Sequence, residues 1–190
     1  MLFGCHTVNN SFNSVTQGVS AAGVEELSGD SSLDKLVSEG ALVIDLADIN
    51  TAWTKKSTHQ VLVLKDKVWQ GYNYEKSLSP KSPESVFLNP SAINIATCDS
   101  LLQYIAKKVI WNQKNEGEKN GCPNNLTGCP IADANTLLLR MIWGQKMTTV
   151  SYYAPFYKEQ CCPGWEERKN FNGLVELMNR ALITKSGAVY

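Results

Sequence analysis

Two β-rich segments, Gln60-Val61-Leu62-Val63-Leu64 and Val68-Trp69-Gln70-Gly71-Tyr72-Asn73-Tyr74, stand three polar residues apart, Lys65-Asp66-Lys67. A connection that short joins antiparallel neighbours in a hairpin. A lone hairpin is marginal in water, so this one must bury a face against other elements. A short run of strand length, Ala41 to Leu46, precedes it, and Thr148 to Tyr153 reads as a further strand. Ser31 or Ser32 caps a short helix over Leu33 to Val37, which Gly40 breaks. A longer helix follows Thr97, with Leu101, Leu102, Ile105, Ala106 and Val109 on one face. The pattern predicts a second long helix from near Asp133 through Leu137, Leu138, Met141 and Ile142. A final helix spans Glu166 to Ile183. Strands and helices mix without βαβ alternation, which points to an α+β fold: a small antiparallel sheet packed against helices.

The 190 residues, 43% hydrophobic and 19% charged, supply a core for one domain and exclude a wholly disordered chain. Lys plus Arg balance Asp plus Glu at 18 each. A partner bound through its phosphates calls for a basic excess, so nucleic acid is not expected. No apolar run approaches the roughly 20 residues of a membrane span, so no transmembrane segment is expected. From His6 to Gly29 the chain is rich in Ser, Asn, Gly, Thr and Val without a sustained period. Residues 1–29 are therefore expected to form a flexible tail or tether, and residues 30–190 a single domain with a polar, Cys-containing insertion at 112–130. Leu2-Phe3-Gly4-Cys5 resembles a bacterial lipobox, which makes Cys5 a candidate lipid anchor.

Four of the six cysteines lie in loop-like, Gly- and Pro-marked contexts of the C-terminal half: Gly121-Cys122-Pro123, Gly128-Cys129-Pro130 and Cys161-Cys162-Pro163. Irregular backbone of this kind is where disulfides staple loops, and they imply an extracytoplasmic setting, whether periplasmic, envelope-anchored or secreted. The connectivity stays open. A four-thiolate zinc site is disfavoured because the adjacent Cys161 and Cys162 converge poorly on one tetrahedral centre. Asp45 and Asp48 fall on opposite faces of a strand-like run, so no metal site is expected there. No phosphate-cradling glycine loop is present, and no cofactor is implied.

Of the two histidines, only His59 falls within the predicted domain. Cys98 stands at the predicted start of the first long helix, where the macrodipole and free amides favour a thiolate. Asp99 beside it opposes that effect. His59 opens the hairpin, and Gln70 on the return strand is the candidate to orient its ring, with Asn73 behind it. A nucleophile, a base and an orienter are the parts that acyl transfer by a thiolate requires.

The order His then Cys resembles circularly permuted papain-like enzymes of the NlpC type. Gly40-Ala41-Leu42-Val43 is similar to their first strand, Ser57 to Gln70 to their histidine hairpin, and Ile95 to Tyr104 to their nucleophile helix. The resemblance covers about Glu39 to Lys108, and Ala41 stands where the family carries an acid. It implies a permuted papain-like arrangement and a cysteine amidase or peptidase. Its substrate would be a peptide or acylated molecule, including cell-wall peptide, with Cys98 as nucleophile, His59 as base and Gln70 as orienter. The alternative expectation is a non-catalytic, disulfide-stapled envelope or secreted binding module.

Overall fold

The computed structural model describes residues 3–25, 31–50, 53–78, 87–113, 131 and 133–183, with side chains from residue 8 onward. Most of the insertion expected at 112–130, with Cys122 and Cys129, falls outside the described residues.

Within them the fold is α+β. Eight strands form one antiparallel sheet in the order β1-β7-β6-β2-β3-β4-β5-β8. The strands are β1 (Val24–Glu25), β2 (Leu42–Asn50), β3 (Lys56–Lys65), β4 (Val68–Ser77), β5 (Asn89–Ile93), β6 (Thr136–Trp143), β7 (Lys146–Tyr153) and β8 (Leu182–Ile183). The helices are α1 (Phe3–Ala22), α2 (Ser31–Ser38), α3 (Ile95–Lys108), α4 (Pro155–Cys161) and α5 (Glu166–Ala181).

The β3–β4 hairpin turns at Asp66 and Lys67, both left-handed with φ of 50° and 67°. A two-residue turn of that hand matches the natural twist of the strands, so Lys65 pairs with Val68 instead of joining the loop. Strand parity then divides the core. Leu42, Ile44, Leu46, Leu62, Leu64, Trp69, Leu139, Met141, Val150 and Tyr152 face one side, where they pack on α1, α3 and α5. Val43, Val61, Val63, Tyr74, Ile142 and Met147 face the other, where Leu33 and Val37 of α2 cover part of them.

Two expectations are corrected here. The 20-residue α1 occupies the stretch expected to be a tether, and its Val15 and Val19 are fully buried in the core. The polar residues of His6 to Gly29 concealed a narrow apolar stripe in which Val8, Phe12, Val15 and Val19 recur at helical spacing. The predicted helix from Asp133 is instead β6, a central strand between β7 and β2. Its run Leu137-Leu138-Leu139-Arg140-Met141-Ile142 is apolar on both faces because both faces are covered. Such a continuous run cannot be told from a buried helix by periodicity alone. The tight turn at Gly144, with φ of 61°, returns the chain as β7.

Helix α3 begins earlier than predicted. Asn94, not Thr97, is the cap: its side chain accepts from the Thr97 backbone N–H at 3.1 Å. Leu101, Leu102 and Ile105 are fully buried against the sheet, each stabilising the fold by roughly 2 kcal/mol. The Trp69 indole N–H ties the sheet to this helix by donating to Asp99 Oδ1 at 2.8 Å.

Gly71 on β4 faces Ile93 and Leu182, and a Cβ there would run into both side chains. Gly71→Ala is expected to lower stability by about 2 kcal/mol through this overpacking. The check is urea unfolding, with a reduced midpoint and an unchanged m-value.

Candidate functional site

The three residues predicted for acyl transfer do not meet. His59 points with Val61 and Val63 to the α2 side and stacks on Tyr74 at 4.0 Å between ring centroids. Cys98 lies in the opposite core, fully buried among the residues under α1, α3 and α5. The sheet stands between them. Cys98 is the fourth residue of α3 rather than the first. Its backbone N–H already donates to Asn94 O at 3.0 Å, so that amide is not open to an oxyanion. Burial, and secondarily Asp99, push the thiol up to about 11, the reverse of an activated nucleophile. Gln70 shares the face of His59 but pairs with Val63, four positions along the strand, where its carbonyl accepts from the Tyr72 hydroxyl at 2.8 Å.

The partner of His59 is Asp45. The carboxylate only accepts, so the ring donates from Nδ1 to Asp45 Oδ1 at 3.0 Å. Nε2 is then free to accept from the Ser57 hydroxyl at 2.8 Å. Arg140 on β6 donates to Asp45 Oδ2 at 2.7 Å and reaches over to the Tyr74 hydroxyl at 3.0 Å. Ser57, His59 and Asp45 thus stand in the order of a serine triad. Ser57, however, is only 2% exposed, and a carbonyl carbon has no approach to its hydroxyl. What the group does is connect β6, β2, β3 and β4 by buried, charge-assisted hydrogen bonds.

A different arrangement lies on the other face. At the end of the sheet, where β2, β3 and β6 meet α4 and α5, a cavity of about 310 Å³ opens to solvent. Its apolar wall includes Leu46, Leu137, Pro155 and Val175. Phe156 and Tyr157, each about 40% exposed, stand among its lining residues on α4. Its polar residues are Asp48, Thr58, Gln60, Asn135 and Asn179, and among the described residues no basic side chain lines it. Asp48 sits between Thr58 on β3 and Leu137 on β6, with Gln60 its diagonal neighbour across the β2–β3 pair. The Oδ1 atom of Asp48 and the Oε1 atom of Gln60 are both buried and without a hydrogen-bond partner. Burial holds the Asp48 carboxyl above its ordinary range, and a hydrogen bond from Asn135 offsets this in part.

The backbone at the cavity is unusual as well. Ala154 adopts φ of 46° and ψ of 50° immediately before Pro155, where L-residues favour extended backbone. Its N–H donates to Asn135 O at 3.0 Å, and the Asn172 side chain donates to Pro155 O at 3.3 Å. These bonds hold α4, with Phe156 and Tyr157, over the end of the sheet.

No protein-family model matches the chain, and no curated protein is similar to it. Among the described residues no group of three or more His, Cys, Asp or Glu side chains is placed to hold a metal ion. No described helix is long and apolar enough to cross a membrane. Among the described cysteines, Cys98 is the free one; Cys161 and Cys162, at the α4–α5 junction, are not free. Cys5 falls within α1, and its side chain lies outside the described residues.

The cavity was not anticipated from sequence. Asp48, Thr58 and Gln60 alternate with Asp45, Ser57 and His59 along the same two strands, and only the register reveals which set faces open space. The one available signal was an acid inside an otherwise apolar strand.

Two outcomes follow. Cys98 should resist alkylation in the folded protein at pH 7.5, and its labelling rate across a urea series should rise with the unfolded fraction. A catalytic thiolate would instead react in the absence of denaturant. The second concerns Asp48. Its folded carboxyl titrates above the ordinary value of 3.8, so the folded state holds the proton more tightly. Stability therefore falls as pH rises from that value through the folded one. Asp48→Asn should raise the melting temperature at pH 7, and the gain should fade as the buffer approaches pH 3.

Proposed function

We propose that this chain is a non-catalytic binding module whose ligand is a small organic molecule seated between the sheet end and α4–α5. The observation that carries this reading is the pair of unpartnered acceptors, Asp48 Oδ1 and Gln60 Oε1, in an apolar-walled cavity of about 310 Å³. A buried acceptor without a donor costs roughly 1–3 kcal/mol, and folding alone gives no return for two in one cavity. Volumes of this order suit small molecules, with apolar walls giving affinity and a few polar groups fixing orientation. The thiol-hydrolase reading lacks comparable support, because Cys98 and His59 lie on opposite sides of the sheet. An extracytoplasmic setting belongs to the same proposal. Its support is that Cys161 and Cys162 are not free, and Cys122 and Cys129 are the partners we propose for them.

The test is a screen of small fragments of mixed charge, followed by backbone amide shifts in NMR. Binders should perturb Leu46, Asp48, Gln60 and Leu137. They should lose their effect in Thr58→Trp, which fills the cavity from an exposed strand position. Fragments that bind only elsewhere, or hydrolysis of an activated ester that Cys98→Ser abolishes, would overturn the reading.

A further inference from the structure

The polar groups of the cavity carry a sign. Resting on the binding-module reading, we infer that its ligand is an N–H-bearing organic cation, a primary ammonium or guanidinium on a short apolar arm.

The inference starts from Asp48. A carboxylate half-removed from water needs a counter-charge or several donors. Asp48 has the Asn135 hydrogen bond and, among the described residues, no cation acting on it, and its Oδ1 has no hydrogen-bond partner. This contrasts with Asp45 three residues earlier, which is fully buried and held by both Arg140 and His59. The same strand thus carries one acid with its partners supplied by the fold and one acid without them.

The neighbours extend the demand for donors. Gln60 Oε1, diagonal to Asp48, is a second unpartnered acceptor in the same cavity. An amide can present either end, whereas a carboxylate accepts whichever way it turns, so Asp48 fixes the sign of the ligand. An anionic ligand would meet an uncompensated carboxylate, with no lysine, arginine or histidine among the described residues of the lining. A quaternary ammonium would satisfy the charge and leave both acceptors without a donor, so the cation must bear N–H. Leu46, Leu137 and Val175 receive the apolar arm, with Phe156 and Tyr157 beside them in the lining.

The experiment compares probes that share one apolar arm: phenethylamine, 2-phenylethanol, 3-phenylpropionate and phenethyltrimethylammonium. Dissociation constants come from NMR titration of the folded chain at pH 7.5. Phenethylamine should bind about tenfold or more tightly than 2-phenylethanol. Phenethyltrimethylammonium should fall well below the amine, 3-phenylpropionate should bind weakest, and Asp48→Asn should remove the preference for the amine. A further arm, Nα-acetyl-lysine methylamide, separates the sources of the cation. If it binds more tightly than phenethylamine, the donor comes from a protein side chain; if more weakly, from a free small molecule.

Equal or tighter binding of 3-phenylpropionate, or an amine preference that survives Asp48→Asn, would overturn the inference while leaving the cavity a binding site. So would occupation of the cavity by neutral or anionic fragments with no amine among them. If no fragment of any charge perturbs the cavity, the binding-module reading fails and takes this inference with it.

Discussion

A carboxylate buried in the middle of a sheet is tolerable only when its charge and its lone pairs are met, and Asp45 meets both conditions. Arg140 supplies the counter-charge from β6, and His59 supplies a directed N–H from β3. Tyr74 closes the arrangement from β4 by stacking on the imidazole and accepting from the guanidinium. Replacing such a group by well-packed apolar residues is often neutral or stabilising, whereas removing one member alone is costly. Its value lies in geometry. Each bond requires one register of β6, β2, β3 and β4, and a slip of one residue would turn every member to the other face. The positions of Asp48, Thr58 and Gln60 are inherited from that register.

Local signals were legible where they were self-sufficient. The hairpin was evident from two β-rich runs around three polar residues, and α2 from Ser caps followed by Gly40, whose φ of 82° ends the helix. Leu101, Leu102 and Ile105 read correctly as the buried face of α3, but Val109 stands past its end, left-handed and exposed. Its start was misplaced because Asn94 and Thr97 are both competent caps and only the Asn94 side chain accepts a bond there. Helix α5 was visible from Phe171, Leu174, Val175 and Met178, all buried in the core. Where tertiary context decides, local pattern is overridden. The run from Leu137 to Ile142 is strand because two neighbours and two covered faces await it. α1 exists because the core accepts Val15 and Val19, not because its residues favour helix.

The candidate site shows the same limit in sharper form. His59 and Cys98, paired from the sequence as base and nucleophile, lie in separate environments, one in a polar cluster and the other in an apolar core. Nothing in a linear sequence says that a sheet will stand between them. The parity that placed Gln70 on the face of His59 was right, but parity gives no distance along a strand, and four positions put the amide out of reach. Asp45, the partner of His59, stands out in the sequence only beside Asp48, as two acids on opposite faces of one strand.

Those two acids divide the labour of one strand. Because alternate residues of β2 look into separate compartments, the clamp and the cavity share a backbone but no side-chain contact. Residues lining the cavity can thus be exchanged while the strand pairing beneath stays anchored from behind. Such insulation leaves the lining of the cavity free to change in shape and polarity without renegotiating how the strands pair.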